Sequence, residues 1–577
     1  MLMMTKGKCC VRLTDAVFAC LYSILLLIPD VLWIHAPGPF AFFCCCIFNL
    51  FFFLFVFTSL CFLLHRLHHV IYVVSHSLLH VVLYVFSISN VFLYVFFTLR
   101  WDAFTFQLIH QTNRQETSEF LSTYVLSYEF VAIIAFYAVL GFTEYYLVRR
   151  KGRKEVCLPL FIPVSAICFC LIHIPFFTLN HNRNYELSYS FLRRNMIWKL
   201  HQSILQYADE KDDLVLCSKN QHNIVVQGCT YQSPKIVVVI GESFNKHHSS
   251  LYGYPKDTNP LLGQWLQKRN LYVFKDVVSP YNATYSSFQA FLSFASTDDT
   301  IRWCNTPLFP SLFKKAGYHV TFYSNQFVLE SEMSHSDGRA GFLFHPMIEP
   351  CFLDVRNHRK YQYDGEMIDQ YKHERLQNEK TTKGNLVIFH LYGQHFSSKE
   401  RYPHSFSYFD AKDYDDRSDL TMNQRQEVAE YDNATRYNDY VIHSIIDMYK
   451  DEDVILLYFS DHGDECNDFR PHVGRSFDWK SAGAQVLRHQ FDIPFLLYVT
   501  DSYKQHHPQI VDEISKAVGR RFMIDDLPHL LVYLAGIETN WYRPQRNIIH
   551  SDYNLSRKRY VSFDKVDYDA YCKTVNN

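Results

Sequence analysis

The sequence predicts an N-terminal five-helix transmembrane domain followed by an α/β domain with a mostly parallel central sheet flanked by helices. Three observations predict it. Most of the phenylalanine lies in the first third of the 577 residues, in long uninterrupted apolar stretches. After Lys235 the pattern changes to short β-branched runs separated by helical stretches. Several of those runs end in acidic residues or histidine, at the strand ends where open α/β sheets gather their ligands.

The apolar stretches are Asp15–Ala36, Pro39–Leu64, Val70–Leu99, Leu121–Val148 and Val156–Thr178, each long enough to cross a hydrocarbon core of about 30 Å. A stretch such as Phe42–Phe57 has no polar face to turn toward water, which argues against short globular core helices. Basic residues set the orientation. Lys6, Lys8 and Arg12 precede the first stretch, Arg66 follows the second, and Arg149, Arg150, Lys151, Arg153 and Lys154 separate the fourth from the fifth. Five crossings put all three groups on one side, the cytoplasmic one, and everything after about residue 180 on the other. Charge is balanced, with 56 Lys and Arg against 58 Asp and Glu, so nothing points to a nucleic-acid partner. Ten of the 16 cysteines precede residue 171. The remaining six, Cys217, Cys229, Cys304, Cys351, Cys466 and Cys572, permit up to three disulfides in an oxidising compartment, with no pairing preferred.

Residues 181–233 mix apolar side chains such as Ile197, Trp198 and Leu200 with Arg193, Arg194 and Lys199, and are expected to form an amphipathic interfacial linker. The soluble domain is expected over 234–577. Its buried strands are predicted at Ile236–Ile240, His319–Tyr323, Asn385–Leu391, Val454–Phe459 and Pro494–Val499, and 400–425 reads as an exposed polar loop.

Three segments carry chemistry together. Val237–Ser243 delivers Glu242 at the end of a strand, and Leu456–Gly463 delivers Asp461 and His462 at the end of another. Carboxylate and imidazole side by side at a strand end, as in Asp461 and His462, make a plausible metal site. Ser279–Phe288 places Thr284 before an apolar helical run, where unpaired backbone N–H groups favour phosphate oxygens. Alone, Glu242 reads as a surface residue and Thr284 as a helix cap.

With Gly241-Glu242-Ser243, Leu251–Pro255, Thr258-Asn259-Pro260 and Ser460–Gly463 in place, the soluble region resembles the alkaline phosphatase/sulfatase superfamily, specifically its phosphoethanolamine transferase branch. The five-span front matches that branch too. The resemblance implies an alkaline-phosphatase-like fold and zinc, with manganese as the alternative, held by Glu242, Thr284, Asp461 and His462. It implies transfer of phosphoethanolamine from phosphatidylethanolamine, through phosphothreonine on Thr284, to lipid A, the lipopolysaccharide core or another envelope glycan. The segment His390–His395 before Arg401-Tyr402-Pro403 resembles the family's histidine-rich stretch, with Gln394 and Phe396 departing from its pattern. His395 is therefore expected as acceptor-site acid/base or second-metal ligand, with His390 and His472 as its companions. Gln111–Glu116 resembles the segment that holds the donor head group, giving Asn113 and Glu116 that role.

The cysteine pair that flanks the nucleophile in better-known members is missing, with Tyr281 and Phe288 in its neighbourhood, which leaves the acceptor open. Asn282-Ala283-Thr284 is also a glycosylation sequon. A glycan there would block the nucleophile, so a bacterial inner membrane with the catalytic domain in the periplasm is the expected location. The rivals are a phosphoglycerol transferase of the lipoteichoic-acid-synthase type, a sulfatase, and a non-catalytic membrane sensor. No Cys/Ser-x-Pro/Ala-x-Arg context for a formylglycine lies near Thr284, and the intact four-residue set argues against a sensor.

Overall fold

The computed structural model describes residues 8–33, 39–64, 68–97, 101, 105, 121, 124–125, 127–151, 155–159, 212–326, 342–344, 347–378, 383–475, 483–563 and 565–574. The chain divides into two compact units, Met1–Asp209 and Glu210–Asn577.

The first unit contains four long helices among its described residues: α1 (Leu13–Trp33), α2 (Pro39–Leu64), α3 (His69–Phe97) and α4 (Tyr128–Lys151). They follow the first four expected spans to within a few residues, except that α4 begins seven residues after Leu121. Val70–Phe97 and Tyr128–Leu147 are long and apolar enough to cross a membrane. The expected fifth span is not borne out at its start. Glu155–Pro159 is a strand, paired antiparallel with Lys8–Arg12, and 160–178 lies outside the described residues. The partner of Lys8–Arg12 is thus a strand that begins four residues after the end of α4.

The second unit is built on a seven-stranded sheet. Its strands are β1 (Lys235–Gly241), β2 (Leu271–Val273), β3 (His319–Ser324), β4 (Val355–Arg356), β5 (Asn385–His390), β6 (Ile455–Ser460) and β7 (Phe495–Val499), in the order β2-β7-β6-β1-β5-β3-β4. Six run the same way, and β7 is antiparallel to both its neighbours. The expected mostly parallel sheet is present, with the strand expected at Pro494–Val499 reversed.

Alternation along β1 assigns its residues to two faces. Ile236, Val238 and Ile240 join a core with Phe288 and Phe291 of α5 (Thr284–Leu292), and with Leu530, Leu531 and Leu534 of α8 (Leu527–Ala535). Val237 and Val239 face Met367, Ile368 and Tyr371 of α6 (Asp364–Asn378) and Val441, Ile442 and Ile445 of α7 (Met422–Tyr449). Each such aliphatic side chain contributes about 1.5–3 kcal/mol on burial. Thr421 starts α7 through a reciprocal capping box with Gln424, a device that contributes about 1 kcal/mol. Helices therefore cover both faces, and the strand ends are left for loops.

The expected interfacial linker is described only from 212 onward. There, 212–222 is helical and packs into the soluble unit, with Leu214 and Cys217 in its core. Gln221 fixes this piece by accepting from Leu308 N at 2.8 Å and donating to Thr306 O at 3.2 Å. Among the described residues all six downstream cysteines are free thiols.

Candidate active site

Register brings the key residues together before any side chain is considered. Gly241 is paired with Ser460 and Ile240 with His390, so Glu242 and Asp461 are the first residues beyond adjacent, parallel strand ends. Two close approaches lock this corner. A Cβ on Gly393 would lie 2.7 Å from Glu242 O, and Gly393 itself has φ +55. A Cβ on Gly463 would lie 2.2 Å from His489 O, so only glycine lets the chain turn after His462. Asp364 gathers the neighbouring loops by accepting from Tyr392 N, Gly393 N and Asn325 Nδ2 at 2.8–2.9 Å. Ser279 Oγ donates to Asp461 O at 2.5 Å and ties down the segment leading to Thr284.

The result is a compact cluster. Glu242, Asp461 and His462 are fully buried, and each offers a ligand atom within 4.8 Å of the others'. Thr284, the first residue of α5, donates its hydroxyl to Glu242 Oε2 at 3.1 Å and lies 3.5 Å from His462 Nε2. His462 Nδ1 is 2.7 Å from Gly463 O, a group that can only accept. The proton therefore sits on Nδ1, and the lone pair of Nε2 faces Glu242 Oε1 at 3.2 Å and Asp461 Oδ2 at 3.4 Å. Asp461 Oδ2 has no hydrogen-bond partner. Two carboxylates, an imidazole lone pair and a hydroxyl converging in a dry site call for a cation.

Electrostatics agree. Burial and the charge of Glu242 push the Asp461 carboxyl well above the usual range. Burial acts on Glu242 in the same direction, but its charged and hydrogen-bonding surroundings, Arg475 among them, more than reverse it and hold Glu242 low. Burial and then Arg475 lower the His462 imidazole, which keeps it neutral and able to bind a metal.

The other expected histidines are not brought together. Among the described residues they form no metal-sized trio. His395 is nearest in influence. Its Nδ1 lacks a partner, burial lowers it to about 3, and Glu242, Arg475, Arg401 and His462 all act on it. His390 ends β5, with its Nδ1 3.1 Å from Ser324 Oγ and its ring against Phe288, the position of a packed core histidine. The charges acting on His472 are Glu465 and Arg470 instead of the Glu242 group. Asn113 and Glu116 lie outside the described residues. Asn282 is buried and donates to Gln490 Oε1 at 2.7 Å, which leaves its sequon inaccessible to a glycan.

Two contributors escaped the reading of the sequence. Gln326, two residues beyond β3, donates to Glu242 Oε2 at 3.1 Å and to Leu391 O at 2.8 Å. Arg475 Nη1 donates to His462 Nε2 at 3.2 Å. The strand-end rule that found Glu242 could have found Gln326 after His319–Ser324. Arg475 follows no pattern of its own.

The sulfatase family model matches residues 234–537, which hold the sheet and all four clustered residues. The chain belongs to the sulfatase family. Phosphoethanolamine transferase EptC of Escherichia coli is 27% identical over 519 residues, covering 86% of each chain. The crystal structure of the C-terminal periplasmic domain of that protein in complex with zinc matches with a TM-score of 0.50 and 28% identity, covering 60% of this chain and 96% of that one. The integral membrane lipooligosaccharide phosphoethanolamine transferase A of Neisseria meningitidis matches with a TM-score of 0.61 at 16% identity, covering 93% of this chain and 98% of that one. At that identity the likeness shows the fold alone, and it extends across both units.

Proposed function

We propose that this sulfatase-family chain transfers phosphoethanolamine from phosphatidylethanolamine to lipid A, a lipopolysaccharide core or another envelope glycan, with Thr284 as the nucleophile. The observation that carries the reading is the Thr284 hydroxyl, 3.1 Å from Glu242 and 3.5 Å from His462 at the edge of the buried trio. Glu242, Asp461, His462 and Thr284 would hold zinc, the metal bound by the EptC domain named above. Bound there, zinc supplies a Lewis acid that polarises the phosphoryl oxygen and lowers the pKa of the Thr284 hydroxyl.

The chain's own residues supply the rest. Thr284 Oγ1 loses its proton to solvent and attacks phosphorus in line, and the P–O bond to diacylglycerol breaks. The diacylglycerol oxygen takes a proton from solvent and leaves as the alcohol, and phosphoethanolamine stays on Thr284. No side chain caps α5, so its first-turn N–H groups are available to the phosphoryl oxygens. An acceptor hydroxyl then gives its proton to His395, held neutral by burial, its oxygen displaces Thr284 from phosphorus, and that proton returns to Thr284 Oγ1.

The first unit is read as a five-span membrane domain with the soluble unit in the periplasm of a bacterial inner membrane. Support comes from the apolar helices and from the pairing of Lys8–Arg12 with Glu155–Pro159, which gathers basic residues at one end. Asn113 and Glu116 are assigned to the donor ammonium by resemblance.

The test is intact-protein mass spectrometry after incubation with phosphatidylethanolamine and zinc. A phosphoethanolamine adduct is expected on the wild type and absent from Thr284→Ala. An adduct formed with phosphatidylglycerol alone would instead make the chain a phosphoglycerol transferase.

A further inference from the structure

A cavity lies along α5, away from the Glu242 and Asp461 carboxylates. It encloses about 290 Å³ and is lined by Ser286, Gln289, Tyr281, Trp303 and Phe563, but not by Glu242, Asp461 or His462. Ser286 and Thr284 are two apart on a helix and so face away from each other. The cavity is therefore separate from the reacting centre, yet it begins at Tyr281, three residues before the nucleophile.

Its walls are held in place. The hairpin Tyr560–Val561/Val566–Asp567 carries Phe563 at its tip. Ser562, in the left-handed region at φ 64, donates its N–H to Pro280 O at 2.9 Å. That contact sets Phe563 against Tyr281, ring centres 4.9 Å apart and tilted by 34°. Phe563 is nevertheless 59% exposed, so its ring fills no core. Among the described residues the side chains of Ser286, Gln289 and Thr300 have no hydrogen-bond partner, although all three line the cavity. Arginines nearby are occupied: Arg302 by Asp213, and Arg543 and Arg546 by Asp298 and Asp299.

We propose that this cavity binds a sugar ring of the acceptor glycan, as a subsite remote from the hydroxyl that receives phosphoethanolamine. The inference rests on the transferase reading above. A pyranose has an apolar C–H face that stacks on aromatic rings and a hydroxyl rim that pairs with amides and hydroxyls. Tyr281, Trp303 and Phe563 offer the first, and Gln289, Ser286 and Thr300 the second. A lipid tail would leave those polar groups unpaired at a cost. An anion would find Arg302 already paired and one exposed lining cation, Lys565, with the Asp299 carboxylate on the same wall. The space is at the small end of ligand pockets, about 300–1,000 Å³, and suits one or two rings. Binding energy gained there would hold the acceptor in place for attack at Thr284.

The test uses full-length protein in detergent and the oligosaccharide released from rough lipopolysaccharide by delipidation. Binding is followed by saturation-transfer difference NMR and titration calorimetry. Wild type and Thr284→Ala should bind alike, while Phe563→Ala and Gln289→Ala should each weaken binding up to about tenfold. Both cavity variants should still form the Thr284 adduct with phosphatidylethanolamine. No binding by wild type, binding unchanged in both cavity variants, or displacement by inorganic phosphate would overturn the subsite. Oligosaccharide binding that is lost in the variants, with no adduct on wild type, would overturn the transferase reading and leave the subsite standing.

Discussion

Each unit buries a group of histidine and carboxylate, and the two groups are built in opposite ways. In the first unit, Glu144 accepts from His80 Nε2 at 2.7 Å and from Tyr84 OH at 3.4 Å. Tyr22 OH sits 3.1 Å from His80 Nδ1 and 3.3 Å from His76 Nδ1. Ser87, one turn away, bridges Tyr137 OH at 2.6 Å and Leu25 O at 2.5 Å. Here carboxylate meets donor, and α1, α3 and α4 are joined by the result. In the second unit, Glu242 and Asp461 point at one another's neighbourhood, His462 adds a lone pair, and Asp461 Oδ2 is left without a donor. A satisfied network cross-links helices, whereas an unsatisfied one stores repulsion that a cation relieves.

The largest effect is expected from breaking the unsatisfied cluster. Glu242→Gln removes a negative ligand from beside Thr284 and should lower transfer by about 10³-fold, the scale of losing a preorganised electrostatic partner. Zinc content per chain, read by plasma mass spectrometry, should fall with it. Full activity with full zinc content in this variant would remove Glu242 from the site.

A satisfied cluster in the same unit gives the control. His248 lies between Asp432 Oδ1 at 2.6 Å and Asp468 Oδ1 at 2.9 Å. Burial opposes its charge, but Asp468 and Asp432 more than reverse this and lift it to about 10. Because the folded value is raised, the stabilisation is fully present below pH 6.5 and lost as pH rises through about 10. Asp468 is held well below its ordinary value, burial opposing and His248 prevailing, so its share is lost only as pH falls below the ordinary carboxylate range. His248→Asn should cost about 3–5 kcal/mol near neutral pH, as for one partner removed from a buried pair. It should also flatten the decline of melting temperature between pH 7 and 10. An unchanged alkaline slope would mean that His248 is neutral.

How much of this was legible in the sequence follows the same division. Strand ends are local: an apolar β-branched run followed by Glu242, or by Asp461 and His462, announces both the strand and what it delivers. Parallel register then does the rest, because Gly241 opposite Ser460 makes the neighbours meet. The reversal of β7 was hidden, since a buried strand carries no mark of its direction. Spacing could not show how His390 is oriented, because the strand that presents it also turns its ring onto Phe288. Gln326 comes from a segment 84 residues from Glu242, and Arg475, 13 residues after His462, reaches it only through a turn back of the chain that no spacing announces. In the first unit, helix existence was plain from apolar length, but the Tyr22, His80 and Glu144 contacts depend on helix rotation, which uniformly apolar stretches do not record.

A smaller effect should appear in the metal-free protein. Asp461 is the carboxylate that burial and Glu242 push up, so Asp461→Asn removes a charge the fold resists. In the chelator-treated protein it should raise stability by about 1–3 kcal/mol, the cost of an uncompensated buried polar group. The same variant should lose zinc and activity. Reduced melting temperature without metal would mean that Asp461 is already compensated and that the cluster is not frustrated.

The smallest effect belongs to the satisfied network of the first unit. Removing one partner, as in Glu144→Leu or His80→Leu, leaves the other without its 2.7 Å contact and should cost about 1–2 kcal/mol, as for interhelical hydrogen bonds in membranes. Replacing both should cost less than the sum of the singles, because neither polar group is then stranded. Thermal unfolding of the detergent-solubilised full chain reads this double-mutant cycle. Zinc content should remain at the wild-type level in all three variants, since the residues proposed to hold the ion all lie in the second unit. Strict additivity would mean that His80 and Glu144 are energetically independent despite their contact. The contrast between a network that binds helices and one that awaits a cation would then rest on the second unit only.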